Sequence, residues 1–225
     1  MRGKIILIEG TDCSGKETQS KLLYKKLKSD KIKCITMSYP DYNSPTGKII
    51  GGPYLGKEYI CDGWFPEGAS QVDPKVSSLY FGADFLYHLD YMNKILDSGT
   101  SIILDRYFYS SFAHQGGKAK TQEERIKIYK WLEKLEFELL NLPDPDIKIL
   151  LHMPYNASCK LKSFRVEKPD QNESSKEHLL NAEMSYMEIA SLYDFKIIEC
   201  ATLDNPRKIE EINEELYNYV IEKLR

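Results

Sequence analysis

An α/β fold, with a five-stranded parallel sheet covered by helices on both faces, is what the sequence predicts, and three observations carry it. Five short apolar runs alternate with helix-patterned segments along the chain, the order that crossover helices impose on parallel strands. At 225 residues, with 42% hydrophobic and 29% charged residues, the chain can bury a sizeable core and lacks the profile of a disordered one. No apolar run approaches the roughly 20 residues that a membrane-spanning helix needs. The expectation is one domain over residues 1–225, cytoplasmic and without membrane association.

The first run, Lys4 to Glu9, reads as a strand, Gly10 to Gly15 as a loop, and Glu17 to Lys28, with Leu22, Leu23 and Leu27 at helical spacing, as a helix. Ile32 to Met37 is the second strand, ending at Tyr39-Pro40. The stretch to about Val72 is rich in Gly, Pro, Tyr and Asn and reads as irregular with a short helix. Asp73 to Asp97 is a long helix with Pro74 in its first turn and Gly99 just past its end. Ser101 to Asp105 is the third strand. Thr121 to Leu140 has an amphipathic pattern that Pro143 and Pro145 terminate. Ile147 to Met153 is the fourth strand and Phe195 to Glu199 the fifth. Helices are expected over Asn156 to Phe164, Ser174 to Tyr193 and Pro206 to Leu224.

Charge and cysteine usage exclude several function classes. The 31 Lys+Arg against 34 Asp+Glu leave a net charge of -3, so no bulk positive field favours nucleic acid or a membrane surface. A polyanion must be met by a local site. The five cysteines are odd in number, scattered and free of any C-x-x-C pair, which argues against a disulfide framework and against a zinc site.

That local site is written in Gly10-Thr11-Asp12-Cys13-Ser14-Gly15-Lys16, a G-x-x-x-x-G-K loop between a strand and a helix. Small residues let the backbone N–H groups turn inward onto phosphate, the helix N-terminus adds partial positive charge, and Lys16 reaches the β- and γ-phosphates. This P-loop, spanning residues 10–18, departs from the usual pattern because Glu17 follows the lysine and Thr18 comes only afterwards. Three readings are open: Glu17 ligates Mg²⁺, Thr18 does so after a local shift, or Glu17 is a solvated acid favouring the helix dipole. Cys13 is either a thiol activated by the helix terminus or a small residue suited to a tight turn.

The stretch IEGTDCSGKETQ resembles the start of the thymidylate kinases, a branch of the P-loop nucleoside monophosphate kinases. Asp105-Arg106-Tyr107 with Ser110-Ser111 and Ala113-His114-Gln115-Gly116-Gly117 is similar to that family's DR(Y/H)-x-x-S-x-x-A-(Y/H)-Q-G signature. Arg165, Asp170 to Glu173 and Tyr186 resemble its lid, placed at about residues 163–174, and the helix behind it. The resemblance implies a P-loop NTPase-type three-layer sandwich with a small helical lid, transferring the γ-phosphate of Mg-ATP to dTMP. It implies donor binding by residues 10–18 and Arg165, with Lys160, Lys162 and Lys168 nearby, and Mg²⁺ or its waters met by Asp105, with Glu17 the candidate second ligand under the first of the three readings above. Lys16, Arg106, Asp12 and Arg165 are the implied catalytic set, with Asp12 near the acceptor sugar. The resemblance also implies a homodimer, to which the long helix Asp73 to Asp97 contributes.

On the acceptor side the expected contacts are Tyr39, Tyr42, Phe81, Phe85, Arg106, Ser110, His114 and Gln115, alongside Asp12. Leu79 to Phe85 resembles the family's L-x-F-x-A-x-R element, in which the aromatic stacks on thymine. Phe81 keeps that position and Phe85 replaces the arginine, its i,i+4 pairing with Phe81 also being that of an ordinary core stripe. The arginine that many members carry after Phe-Pro is missing as well: the chain has Tyr39-Pro40-Asp41-Tyr42, and Lys48 is the nearest basic residue. A different pyrimidine nucleotide or a deoxynucleoside as acceptor, and a non-catalytic nucleotide binder, are the alternative readings.

Overall fold

The computed structural model of the chain describes residues 2–162, 172 and 175–225. Its strands β1 (Ile5–Gly10), β2 (Cys34–Ser38), β3 (Ser101–Asp105), β4 (Ile147–His152) and β5 (Lys196–Glu199) form one sheet in the order β2-β3-β1-β4-β5. All four pairings are parallel. Side chains of β1 alternate between two cores, Ile5 and Leu7 on one face and Ile6 and Ile8 on the other, as the two-residue period of a strand requires. Burying each of these stabilises the fold by about 1.5–3 kcal/mol. The first face is covered by α3 (Pro74–Asp97), α4 (Phe108–Gly116), α5 (Gln122–Glu133) and α7 (Lys176–Leu192). The second is covered by α1 (Lys16–Ser29), α6 (Tyr155–Lys162) and α8 (Ile209–Leu224). The three-layer sandwich is therefore present. The chain leaves β1 toward β2 and β3 on one side and later reaches β4 and β5 on the other. That reversal opens a crevice at the carboxyl ends of the strands, where ligands of such sheets sit.

Three local features differ from the sequence expectation, and the segment after β2, irregular with a short helix as expected, adds a core of its own. Residues 108–116 are helical: Phe108, Tyr109, Phe112 and Ala113 recur at helical spacing and face the core, a stripe only two turns long. The helix expected over Thr121 to Leu140 is α5, with a Thr121–Glu124 capping box, followed by a wider π turn over Lys134–Leu139. Pro206 does not open the last helix: it pairs with Ala201 in a small antiparallel hairpin of β6 (Ala201–Thr202) and β7 (Asn205–Pro206), and α8 starts at Ile209. The segment after β2 contains α2 (Pro45–Ile49), a π turn over Ile50–Tyr54 and a 3-10 turn over Ala69–Gln71. It builds a third, small core of Ile50, Tyr54, Leu55, Ala69 and Val72. Lys118 fastens this unit to the end of α4, donating to the carbonyls of Ala69 and Val72 at 3.0 and 2.7 Å. The Lys118 ammonium is pulled down to about 8, chiefly by burial. All five cysteines are free thiols.

Candidate active site

The loop between β1 and α1 is anchored at its base and open at its rim. Thr11 Oγ1 donates to the Met153 carbonyl and accepts from the Met153 N–H, both at 2.8 Å, fixing the loop to the end of β4. Gly15 caps α1 with φ 80°, a left-handed conformation that glycine adopts without a Cβ clash. Cys13 adopts φ 57°, in the same region. The Lys16 ammonium donates to the carbonyls of Gly10 and Thr11 at 2.9 Å each. Burial pulls it down to about 8, the Arg106 charge adds to the fall, and Asp105 and Asp12 oppose it. A phosphate arriving at the loop restores that charge.

Arg106 follows β3 directly and sits at φ 66°, a strained conformation for a side chain with a Cβ, which turns its guanidinium toward the P-loop. Its Nη1 donates to Ser110 Oγ at 3.3 Å and Tyr186 Oη at 3.2 Å, and Nη2 lies 3.7 Å from Asp12 Oδ1. Beneath it is a fully buried carboxylate that the sequence reading passed over as part of a strand. Glu9 Oε1 accepts from the N–H groups of Tyr107 and Ser110 at 2.9 and 3.1 Å, and Oε2 accepts from Ser110 Oγ at 2.6 Å and Tyr186 Oη at 3.2 Å. Burial raises the Glu9 carboxyl above its ordinary value, and Arg106 is the strongest force opposing that rise. Burial works against the Arg106 charge in turn, but Tyr186, Asp12, Glu9 and Asp105 overcome it and hold the guanidinium protonated. The arginine is thus set in place from β1, α4 and α7 together.

A cavity of about 700 Å³ opens above this cluster. On the donor side its wall includes Asp12, Cys13, Gly15, Lys16, Glu17 and Thr18, with Asp105 beside Lys16. Gly10, Thr11 and Ser14 support the loop from below instead of lining the cavity. Glu17 forms an ion pair with Lys21 at 2.5 Å on the exposed face of α1. On the acceptor side Tyr39, Tyr42, Phe81, Phe85, Ser110, His114 and Gln115 all line the same cavity. Phe85 is 1% exposed and packs edge-on against Tyr39 and Tyr107, so it is a core side chain whose face closes the pocket floor. His114 Nδ1 lies 3.1 Å from His178 Nε2, and burial keeps both imidazoles neutral, His178 falling to about 4.

Several residues stand elsewhere than expected. Lys48 is exposed and away from the cavity, whereas Lys57, which the sequence reading did not single out, lines it. Lys160 turns to the hairpin, donating to the Asp204 carbonyl at 2.8 Å. Arg165, Lys168, the Lys162 side chain and most of the 163–174 stretch lie outside the described residues. Ser111 was missed too: its Oγ and the Oε1 of Gln115, one turn apart on α4, are buried, line the cavity and have no hydrogen-bond partner among the described residues. Such groups call for a ligand's polar edge.

The thymidylate kinase family model matches residues 8–216. A probable thymidylate kinase of Methanocaldococcus jannaschii is 32% identical over 216 residues, 96% of this chain and 94% of that protein. The thymidylate kinase of Schizosaccharomyces pombe is 27% identical over 219 residues, 97% of this chain and 92% of that protein. Among solved structures, a thymidylate kinase from Candida albicans superposes with a TM-score of 0.75 at 23% identity, covering 98% of this chain and 92% of the other, a likeness of fold. With the P-loop, the strand-end arginine and the polar pocket in one cavity, and a family match over nearly its whole length, the chain belongs to the thymidylate kinase family.

Proposed function

We propose that Lys16, Arg106 and Asp12 carry the reaction of this thymidylate kinase, phosphorylation of dTMP to dTDP with ATP as donor. The observation that supports this assignment is the meeting of Lys16, Arg106, Asp12 and Asp105 at one end of a cavity whose other end is aromatic and polar. Lys16 and the loop amides hold the β- and γ-phosphates, and Arg106 forks onto the acceptor phosphate or the transferred group, neutralising charge as it shifts. Asp12, beside Arg106, takes the acceptor sugar. Phe81 stacks on the base, and Ser111 and Gln115 meet its edge in place of the arginine that Phe85 has displaced. Asp105 with Glu17 or Thr18 fits a Mg²⁺ ion, which needs only one or two protein oxygens beside the phosphates. When bound, the ion would neutralise charge on the donor phosphates. Arg165 is assigned to the donor phosphates from the resemblance.

The same reading gives one domain over residues 1–225 acting in the cytoplasm, where free ATP and dTMP meet. Among the described residues no helix is long and apolar enough to cross a membrane. It also gives a homodimer through α3, supported by the exposed stripe of Val76, Leu79, Leu86, Tyr87 and Tyr91 at helical spacing. Light scattering that returns a monomer at micromolar concentration overturns the dimer.

Release of ADP from Mg-ATP, measured with dTMP, dUMP, UMP, CMP, GMP, AMP and thymidine, tests the reaction. The expected result is a preference for dTMP, abolished by a chelator of divalent ions. Phosphorylation of thymidine ahead of dTMP overturns the assignment of the phosphate-bearing acceptor. ATP binding without turnover of any acceptor leaves a nucleotide binder instead.

A further inference from the structure

One face of α3 serves two ends at once. Phe81, Asp84, Phe85 and His88 stand at i, i+3, i+4 and i+7, so they project to the same side of the helix. Phe81 and Phe85 line the cavity, whereas Asp84, 0% exposed, turns to the segment that follows β2. We propose that Asp84 is a positioning residue for the acceptor: it anchors residues 39–46 to α3 and thereby sets the wall that the acceptor nucleotide meets. The inference rests on the dTMP reading above, which makes this end of the cavity the acceptor's.

Three observations carry it. Asp84 Oδ2 accepts from the Asp41 N–H at 3.1 Å, and Oδ1 accepts from the Ser44 hydroxyl at 3.0 Å and the Thr46 hydroxyl at 2.6 Å. Asp41 lies between Pro40 and Tyr42, which line the cavity together with Tyr39, so the bond to its N–H holds the backbone that carries this wall. The bonding then continues into α2. Ser44 caps that helix by accepting from the Gly47 N–H at 2.9 Å, and its own N–H donates to the Asp41 carbonyl at 2.9 Å. Gly47 approaches the same carbonyl so closely that a Cβ would stand 1.9 Å from its oxygen. Residues 41–47 are thus a closed turn, and Asp84 is bonded to both its ends. His88 Nε2, one turn along α3, stands 3.6 Å from Asp84 Oδ1 and 3.7 Å from Asp41 Oδ2, too far for a hydrogen bond, so the amide and the two hydroxyls are what satisfy the buried carboxylate.

A wall that leaves its bound position for part of the time lowers acceptor affinity by the fraction of molecules in which it is displaced. The donor loop does not share that loss, because Thr11 ties it to the end of β4. Weakening the Asp84 anchor therefore acts on one substrate and spares the other.

Calorimetric binding of dTMP and of ATP, with steady-state kinetics beside it, reads this difference. Asp84→Asn sets an amide NH₂ against either the Asp41 N–H or the two hydroxyls, and the Kd for dTMP is expected to rise about 10- to 100-fold, the loss of a hydrogen bond to a charged group. Thr46→Val removes one of the three bonds with little change of shape and decides the matter even if Asp84→Asn folds poorly: its Kd for dTMP is expected to rise about 3- to 10-fold. Thr46→Ser, which keeps the hydroxyl, is expected to stay within about two-fold of the wild type. In all three the Kd for ATP, and kcat at saturating dTMP, are expected to stay within about three-fold. Unchanged dTMP affinity in Thr46→Val overturns the proposal, and equal weakening of dTMP and ATP does so too, by showing that Asp84 only supports the fold. If the wild type binds another of the mononucleotides named above more tightly than dTMP, the dTMP reading falls and the same comparison is made with that nucleotide, while binding of none of them removes the acceptor end and the proposal with it.

Discussion

Arg106→Ala lowers turnover by about 10³- to 10⁵-fold, the scale of an arginine that neutralises a transferring phosphoryl group, while the affinity for ATP stays within about three-fold. The direction follows from the geometry. Lys16, the loop amides and the α1 N-terminus hold the donor without the guanidinium, whereas nothing else among the described residues presents a fork at the carboxyl end of β3. The backbone at this position does not confound the result. Residue 106 is left-handed at φ 66°, and alanine meets the same Cβ strain there as arginine does, so the substitution removes the side chain and leaves the local conformational cost unchanged. It does remove the strongest charge opposing the rise of the Glu9 carboxyl, which is then driven further toward its protonated form. Arg106→Lys is expected to recover little, since an ammonium cannot bond Ser110 and Tyr186 through one nitrogen and still offer a second, coplanar donor pair. Steady-state kinetics with nucleotide binding measured separately decide the matter. Turnover within about ten-fold of the wild type removes Arg106 from the reaction.

What the sequence made legible was the part of the site encoded locally. The G-x-x-x-x-G-K part of the P-loop, Gly10 to Lys16, is contiguous between a strand and a helix, and Asp105-Arg106 ends an apolar run, so spacing alone sets both at the same edge of the sheet. The five strands and their parallel order of alternation were readable for the same reason. Glu9 was not, because a glutamate at a strand end carries no local mark of its role: the groups that bond it are 98 to 177 residues away. Lys57 was hidden in a Gly- and Pro-rich stretch whose small core, around Tyr54 and Ala69, has no periodicity to detect. Helix α4 escaped because nine residues repeat the spacing of Phe108, Tyr109, Phe112 and Ala113 over barely two turns, too short a run to stand out beside the buried polar Ser111 and Gln115. Phe85 was open to two readings at the level of pattern, core stripe or base contact. Packed edge-on between Tyr39 and Tyr107 yet facing the cavity, it belongs to the core and forms the floor of the pocket.

Glu9→Ala is expected to destabilise the protein by about 2–6 kcal/mol, since two backbone N–H groups bonded to the buried carboxylate each lose their acceptor at about 1–3 kcal/mol, or roughly 4–24 °C in Tm for a chain of this size. Two backbone N–H groups and two hydroxyls lose their acceptor at once, and Arg106 loses the carboxylate beneath it. Loss of fold alone does not distinguish a structural acid from one that sets the arginine, so Glu9→Gln is the informative partner. The amide oxygen still accepts from Tyr107 and Ser110, and the Ser110 and Tyr186 hydroxyls can reverse to accept from its NH₂ group. Stability is then expected to fall by no more than about 1.5 kcal/mol, while turnover falls about 10- to 100-fold because the charge that holds Arg106 is gone. The pH profile separates the two effects. Burial raises the Glu9 carboxyl above the ordinary glutamate value, so wild-type turnover declines as pH falls through that raised pKa and the carboxylate gains its proton. Glutamine has no proton to gain, and its variant is expected to lack that acid limb. An identical limb in Glu9→Gln, or turnover equal to the wild type at neutral pH, shows that Glu9 only fills and bonds the core. The expected outcome instead makes it the residue that positions Arg106 from the opposite side of the guanidinium to the substrate.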